Sequence, residues 1–366
     1  MKSPFKFLDS YTEQDHDIFF GRDRETEALY DALSGVKHLL VYGPSGAGKT
    51  SLIECGLRNQ FSDADWYALT IRRGADLNRS VLAAIRESLD DDSKLPDDTP
   101  FGEAIERLFA ERFQPVYLLF DQFEELLISA EAEEKKTFFT RLNELIQYKV
   151  PCRVLLIMRE EFVGHLSEYE KECPSIFQHR FRLEKMGRAD VRAVISKTLQ
   201  AEQYRDAFSV AAPDDLTDKI LSKLPDNQRI IELAHVQVFL NELWERAHQA
   251  PNNTAVPQLR ADLVNDKDSL QTVLDEFLKK QIDTLDLTYG EHNTLYTLAA
   301  MISERDTKLQ VSQVEIEDAL HQNEVTLQQA LPQLLDTLAK HRIIRTLKSG
   351  GQTQYEISHD LLAKVV

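Results

Sequence analysis

Apolar and polar residues follow two patterns in the first half of the chain. Short apolar runs between polar residues are typical of buried strands, whereas apolar residues spaced three and four positions apart are typical of amphipathic helices. Strands that alternate with helices build parallel sheets, so the pattern predicts an α/β domain with a parallel sheet. The predicted strands are residues 39–42, 66–71, 116–120, 154–158 and 181–183, and the predicted helices between them include residues 77–89 and 131–148.

The second half of the chain has a mainly helical pattern. Apolar stripes at residues 191–199, 233–247 and 273–285 predict three helices, with a loop at 251–257. These stripes are expected to form core and not ligand sites. Strand signals largely stop after the first half and return only near residue 342.

The last part of the chain predicts a winged helix. Such a fold places helices before a β-hairpin. Pro332 lies inside the last predicted helix, which must therefore either kink there or begin nearby. The predicted helices are residues 295–302, 314–320 and 327–338, and the hairpin strands are residues 342–347 and 353–357 around the turn Gly350-Gly351.

One loop between a predicted strand and a predicted helix matches the phosphate-binding pattern G-x-x-x-x-G-K-[ST]. Its glycines let backbone N–H groups wrap phosphates, and the following helix directs its positive end toward them. Lys49 adds a point charge, and the Thr50 hydroxyl can ligate Mg²⁺. We therefore expect a nucleoside triphosphate at this loop, which consists of Gly43, Pro44, Ser45, Gly46, Ala47, Gly48, Lys49, Thr50 and Ser51.

Charged residues follow two other predicted strands. Asp121 ends an apolar strand, where in loop-type nucleotidases a carboxylate lies beside the Mg²⁺ ion. Glu124 or Glu125 is the candidate for orienting the attacking water, although an acidic helix start explains both equally well. Arg159 ends the strand at 154–158, where it can sense a terminal phosphate or simply pair with a neighbouring glutamate.

Composition narrows the function classes. At 366 residues the chain exceeds what one core usually supports, and 42% of its residues are hydrophobic. No apolar stretch approaches the about eighteen residues needed to cross a bilayer, so we expect a cytoplasmic protein without membrane contact. The net charge of −18 argues against nucleic acid and favours protein partners. The three cysteines, Cys55, Cys152 and Cys173, fit neither a disulfide framework nor a zinc site.

Several motifs together resemble the STAND family of signal-transduction ATPases with numerous domains. They are most similar to the bacterial novel STAND type, and NB-ARC and NACHT proteins are more distant relatives. The resemblance spans nearly the whole chain. The motifs are Phe19-Phe20-Gly21-Arg22 with Glu25, the loop at 43–51, the run 118–126 around Asp121, the strand ending at Arg159, and Ile357-Ser358-His359-Asp360.

The resemblance implies a switch module of three parts: a P-loop nucleotide-binding domain with an AAA+/STAND-like sheet (1–187), a helical lid domain (188–288) and a winged-helix domain (289–366). Such a module binds ATP/ADP with Mg²⁺ and hydrolyses ATP slowly. ADP holds it closed as a monomer, and ATP opens it into homo-oligomers. Its sensor and effector lie elsewhere, in roles such as bacterial sensing or anti-phage defence.

The resemblance also implies roles for single residues. Phe20, Gly21 and Arg22 belong to the base-side motif of the nucleotide site, and His359 matches the winged-helix histidine that touches the β-phosphate of ADP. One departure is that related switches often carry a proline beside the base, whereas residues 230–235 contain none. No base contact is therefore assigned there.

Two alternatives belong to other classes. DNA-binding AAA+ initiators also join a Gly-Arg-x-x-Glu motif and a loop ATPase to a winged helix. The net charge argues against this class, because the basic cluster of the last domain is modest. A small-molecule kinase lacks a recognisable acceptor site here. The basic cluster consists of Lys340, Arg342, Arg345 and Lys348.

Overall fold

The computed structural model describes most of the chain. The described residues are 3–6, 9–90, 95–224, 233–249, 256–265, 270–303, 308–323, 325, 327, 330–341, 343–349, 352–358 and 360–363. The chain forms two compact units: Ser10–Met186, called the first unit below, and Gly187–Val366 together with Met1–Asp9, called the second unit.

The first unit is built on the parallel sheet that the sequence predicts. Its strands are β1 (His38–Gly43), β2 (Tyr67–Ile71), β3 (Val116–Phe120), β4 (Cys152–Arg159) and β5 (Arg180–Arg182). They are all parallel, in the order β2-β3-β4-β1-β5. Because β4 lies between β1 and β3, the carboxyl ends of these three strands are neighbours, and Gly43 is in register with Arg159.

Helices cover both faces of this sheet. They are α1 (Asp23–Leu33), α2 (Lys49–Ser51, continued by a π-helical segment Leu52–Leu57), α3 (Leu77–Glu87), α4 (Phe101–Arg112), α5 (Glu124–Ser129) and α6 (Ala132–Gln147). Successive strand residues point to opposite faces. Leu118 and Phe120 therefore pack with α3, α4 and α6, whereas Tyr117 and Leu119 pack with α1 and the π-helical segment Leu52–Leu57. Helix α4 was not among the predicted helices, although Phe101, Ala104, Ile105 and Leu108 have helical spacing.

The second unit is mainly helical. Its helices are α7 (Arg188–Gln200), α8 (Pro213–Lys223), α9 (Leu233–Gln249), α10 (Leu270–Tyr289), α11 (Asn293–Ala299), α12 (Gln313–Gln322), α13 (Leu331–Lys340) and α14 (Asp360–Ala363). Pro332 is within the first turn of α13, so the helix begins there and does not kink. None of the helices in the described part of the chain is both long and apolar enough to span a bilayer.

Short strands complete this unit. β6 (Ser209–Val210) pairs in parallel with β7 (Gln258–Leu259). β8 (Val311–Ser312), β9 (Ile344–Ser349) and β10 (Gln352–Ile357) form an antiparallel sheet in the order β8-β10-β9. The expectation that strands largely stop until residue 342 is therefore wrong for β6, β7 and β8. Each has two residues, too few for an apolar run to mark it.

The N-terminal residues pack within the second unit, although the predicted nucleotide domain begins at residue 1. The Phe5 side chain is fully buried, and its ring centroid lies 5.7 Å from that of Tyr204 and 5.3 Å from that of Phe208. The backbone N–H of Lys6 donates to Gln237 Oε1 at 3.1 Å. This segment is therefore part of the hydrophobic core of the second unit.

Candidate functional site

The loop at 43–51 connects β1 to α2 with a backbone that only glycine adopts readily at two points. Gly46 has φ 73° and Gly48 has φ 89°, in the left-handed region. Gly43 is needed for a different reason, since a Cβ there would lie 2.1 Å from the carbonyl oxygen of Leu183. The loop therefore begins where β1 and the chain after β5 approach too closely for any side chain.

Lys49 closes the loop on itself. Its Nζ donates to the carbonyl oxygens of Gly43 at 2.9 Å and Pro44 at 3.0 Å. Burial lowers the pKa of Lys49, and Arg159 lowers it further, while Glu124 and Asp121 oppose the shift. The ammonium group is thus held at the mouth of the loop among groups of both signs, where a phosphate oxygen can replace the carbonyl acceptors.

Arg22 supports the loop from the preceding segment. Its side chain is only 3% exposed, and Nη2 donates to the carbonyl oxygens of Ala47 at 2.9 Å and Glu184 at 2.8 Å. Nη1 donates to Glu25. Gly21 precedes it with φ 82°, which turns the chain into α1. In these contacts Arg22 joins the loop to the chain after β5.

Asp121 lies beside the first turn of α2. It is 5% exposed, its Oδ1 accepts from Thr50 Oγ1 at 3.1 Å, and its Oδ2 accepts from Arg72 Nη2 at 2.8 Å. Two neighbouring ligands of an octahedral Mg²⁺, each about 2.0–2.1 Å from the metal, are about 2.9 Å apart. The spacing of the Thr50 and Asp121 oxygens fits this geometry, so these two residues fit the Mg²⁺ ion expected with a nucleotide.

The described residues contain no group of three or more His, Cys, Asp and Glu side chains that could hold a metal ion. A Mg²⁺ ion at Thr50 and Asp121 would therefore depend on phosphate oxygens and water for its other ligands, as Mg²⁺ in nucleotide sites commonly does.

A strained turn follows Asp121. Gln122 has φ 56°, which is uncommon for a residue other than glycine. Backbone hydrogen bonds hold the turn on both sides: Asp121 N donates to Ile71 O at 3.0 Å, and Phe123 N donates to Ile157 O at 2.9 Å. Phe123 is buried, with its ring centroid 5.5 Å from that of Phe138. The turn therefore starts α5 at a defined place beside β4.

Glu124 is the first residue of α5 and pairs with Arg159. Arg159 Nε lies 3.2 Å from Glu124 Oε1, and the Arg159 backbone N–H donates to Oε2 at 3.2 Å. Burial raises the pKa of Glu124, while Arg159 and Lys49 oppose the rise. Glu125 is less buried, and its backbone N–H donates to Gln122 O at 3.0 Å. Glu124 therefore contacts another predicted site residue, Arg159, through both of its carboxylate oxygens.

The carboxyl edge of the sheet brings together most of the predicted site residues: the loop, Asp121, Glu124 and Arg159. Pro44 and Ser45 lie in the loop, and Ser51 Oγ accepts from the backbone N–H of Tyr11 at 3.1 Å. Phe20 lies between Phe19 and Gly21 and is half-buried. His359 lies outside the described residues. The roles of all these residues remain predictions.

Arg72 contacts Asp121 but was not among the predicted site residues. It follows β2 directly, and Ile71 is in register with Phe120, so Arg72 and Asp121 come next to each other at the ends of paired strands. The signal was available, because a charged residue directly after a predicted strand is the feature that identified Asp121 and Arg159.

The comparisons with known proteins agree with this architecture. The family model of Novel STAND NTPase 1 matches residues 4–365. No curated protein sequence matches the chain.

Solved structures share the fold across both units. The Walker-type ATPase PABY2304 of Pyrococcus abyssi has a TM-score of 0.51 at 14% identity, covering 98% of this chain and 99% of that one. The Aeropyrum pernix ORC2 protein, in its ADPNP–ADP complexes, has a TM-score of 0.53 at 15% identity, covering 99% and 97%. The ORC1 protein of the same organism, in complex with DNA, has a TM-score of 0.50 at 17% identity, covering 98% and 92%.

Proposed function

This chain belongs to the Novel STAND NTPase 1 family, and we propose that it is an ATP/ADP-dependent signal-transduction switch that hydrolyses ATP slowly. Family membership supports a P-loop NTPase that binds and hydrolyses nucleotide. The finer proposal is that ADP holds the chain closed as a monomer, whereas ATP opens it and drives assembly into homo-oligomers. Its partners would be sensor or effector proteins of a bacterial sensing or anti-phage defence system in the cytoplasm.

The observation that carries the proposal is the contact of Arg159 with Glu124 beside the loop. Arg159 is in register with Gly43, the first residue of the loop, and it pairs with Glu124 at 3.2 Å. A terminal phosphate at the loop would compete with the Glu124 carboxylate for the guanidinium, because both are bidentate acceptors. Arg159 would then report whether the terminal phosphate is present.

Hydrolysis would follow from the same exchange. Once Arg159 binds the phosphate, the Glu124 carboxylate is free to orient water or accept its proton, and the burial that raises its pKa also favours proton acceptance. Lys49 would hold the β- and γ-phosphate oxygens. Mg²⁺ at Thr50 and Asp121 would supply neutralisation of the charge that develops on the phosphates.

The second unit would supply the other half of the switch. Helices α11, α12 and α13, with β8 between the first two and the hairpin of β9 and β10 after the third, support a winged helix at 289–366. In the proposed closed state His359, which follows β10, contacts the ADP β-phosphate. A nucleotide shifts such an equilibrium only by binding the two states with different affinity, and a contact that only the closed state makes supplies that difference.

The test is to identify the nucleotide that leaves freshly purified protein on denaturation and to measure its exchange. The wild type should carry ADP that exchanges slowly. His359→Ala should lose the ADP or exchange it at least about tenfold faster, because the variant lacks roughly one charge-assisted hydrogen bond to the phosphate. His341→Ala, at an exposed position after α13, is the matched control and should behave as the wild type. An empty site with fast multiple-turnover ATPase in all three proteins would refute the switch.

A DNA-binding AAA+ initiator is the second candidate, because the fold likeness to ORC proteins covers almost the whole chain. The net charge of −18 opposes it. Anisotropy titration of a labelled DNA duplex separates the two functions. An association constant whose logarithm falls linearly with the logarithm of the salt concentration would favour the initiator. No binding at low salt would favour the switch.

A further inference from the structure

Arg72 and Arg73 are neighbours in sequence but contact different carboxylates. Arg73 pairs with Glu134 of α6 through two nitrogens, at 3.0 and 2.7 Å, and the backbone N–H of Leu77 donates to the same carboxylate at 2.9 Å. That contact ties the start of α3 to α6. Arg72 instead contacts Asp121 at the carboxyl edge of the sheet, at 2.8 Å. Only the second contact reaches the nucleotide site.

The pairing of two strands places Arg72 next to Asp121. β2 and β3 are in register through Ile71 and Phe120, and Asp121 N donates to Ile71 O at 3.0 Å. Arg72 and Asp121 therefore lie beside each other, each directly after the last residue of its strand. The Arg72 side chain is 15% exposed and that of Asp121 is 5% exposed, so solvent screens this pair less than a surface pair.

The two oxygens of Asp121 have separate partners. Oδ1 accepts from Thr50, on the side where Mg²⁺ fits, and Oδ2 accepts from Arg72. A divalent ion at Thr50 would bring two further positive charges within a few ångströms of the Arg72 guanidinium. Like charges at such distances repel strongly where solvent is largely excluded. Arg72 and the metal ion cannot both neutralise this carboxylate without a cost.

We propose that Arg72 is an alternative counter-charge to Mg²⁺ at Asp121, which lets the site bind nucleoside diphosphate with little dependence on Mg²⁺. Without the metal, Arg72 neutralises the carboxylate that would otherwise repel the phosphates. With the metal, Arg72 weakens its binding. The inference rests on the proposed nucleotide site, and it assigns to this chain a retention of ADP when Mg²⁺ is scarce.

The test is the Mg²⁺ dependence of ADP affinity, measured by fluorescence titration with N-methylanthraniloyl-ADP in EDTA and in excess Mg²⁺. Arg72→Gln should bind the probe more weakly in EDTA. Its Mg²⁺ site should also be half-saturated at a lower Mg²⁺ concentration. The ratio of the dissociation constant in EDTA to that in excess Mg²⁺ should therefore rise about tenfold or more over wild type. Arg72→Lys keeps the charge and should restore most of the wild-type ratio.

Two controls identify the origin of the effect. Arg73→Gln removes the same charge one residue away, and it should lower the thermal stability while leaving the ratio at the wild-type value. In an Asp121→Asn background, Arg72→Gln should no longer change the ratio, because the shared carboxylate is gone.

The outcomes are distinct. An unchanged ratio in folded Arg72→Gln, or an equal change in Arg73→Gln, would overturn the inference while ADP binding by the wild type still supported the nucleotide site. If Arg72→Gln fails to fold, a Mg²⁺ dependence of Arg72→Lys equal to wild type supports the inference, and a tenfold change in it overturns the inference. No probe binding by the wild type in either buffer would overturn the proposed function itself.

Discussion

The two edges of the parallel sheet in the first unit treat buried ionisable groups in opposite ways. At the carboxyl edge each buried carboxylate has a cationic partner, Arg72 for Asp121 and Arg159 for Glu124. At the amino edge two buried groups are held in their neutral forms. Burial lowers the pKa of His38, whose Nε2 lies 2.7 Å from Ser175 O, and burial raises the pKa of Cys152 to about 12.

The difference shows that buried charged groups of this sheet lie at its carboxyl edge. Burial also moves the pKa of Lys49 down and that of Glu124 up, but opposite charges around each of them oppose these shifts. Nearby opposite charges favour the ionised form, whereas burial alone favours the neutral one. Changes at the carboxyl edge should therefore alter nucleotide chemistry, and changes at the amino edge should alter only stability.

The largest effect is expected from Glu124→Gln. If Glu124 orients water, the ATPase rate should fall about 100-fold or more, the usual contribution of a positioned acid or base. Single-turnover hydrolysis with excess enzyme measures the chemical step. Glu125→Gln is the matched control and should retain nearly full activity, because Glu125 is less buried. A larger loss of activity in Glu125→Gln than in Glu124→Gln would assign the role to Glu125 and would contradict the link between the buried ion pair of the carboxyl edge and nucleotide chemistry.

A smaller effect is expected from Gly43→Ala. The added Cβ would lie 2.1 Å from Leu183 O, so the carboxyl edge must move, at a cost of about 1–3 kcal/mol of unfolding free energy. Urea unfolding in a Trp244→Phe background, in which fluorescence reports only Trp66 of the first unit, measures this. Gly164→Ala is the control, since its Cβ would meet nothing within 4 Å. Equal stability of the two variants would show that β5 adjusts freely.

The smallest effect is a pH dependence that originates at the amino edge. Burial raises the pKa of the Cys152 thiol from its ordinary value of 9.0, which applies to the unfolded chain, to about 12 in the folded state. The unfolded state therefore loses this proton first, and the thiol's contribution to stability falls between these pH values as pH rises. The loss should be about 1.4 kcal/mol per pH unit above 9. The same urea assay at pH 8, 9 and 10 should give a steeper decline for wild type than for Cys152→Ala, and parallel declines would contradict it.

Much of this fold could be predicted from sequence because its signals are local. The apolar runs predicted all five strands of the parallel sheet, and the loop at 43–51 and Asp121 were identified from residue type and position. The strand order could not be predicted, since it depends on which strands pair across the chain. The close approach of Gly43 to Leu183 could not be predicted for the same reason, because the two residues are far apart in sequence.

Choices between adjacent residues also required the structure. Arg72 and Arg73 have the same chemistry, and only the end of β2 at Ile71 determines which one contacts Asp121. Glu124 and Glu125 differ because the turn at Gln122, with φ 56°, sets the start of α5. A sequence pattern does not reveal such a backbone angle at a residue other than glycine.

The burial of Phe5 has a consequence for how the chain can be divided. In terms of chain topology, the first unit is an insertion within the second, because residues on both sides of it share one hydrophobic core. A fragment that starts at residue 187 would lack Phe5 and expose the aromatic rings of Tyr204 and Phe208 to water. A soluble fragment of the second unit therefore needs the N-terminal nine residues, joined to residue 187 by a linker or supplied as a separate peptide.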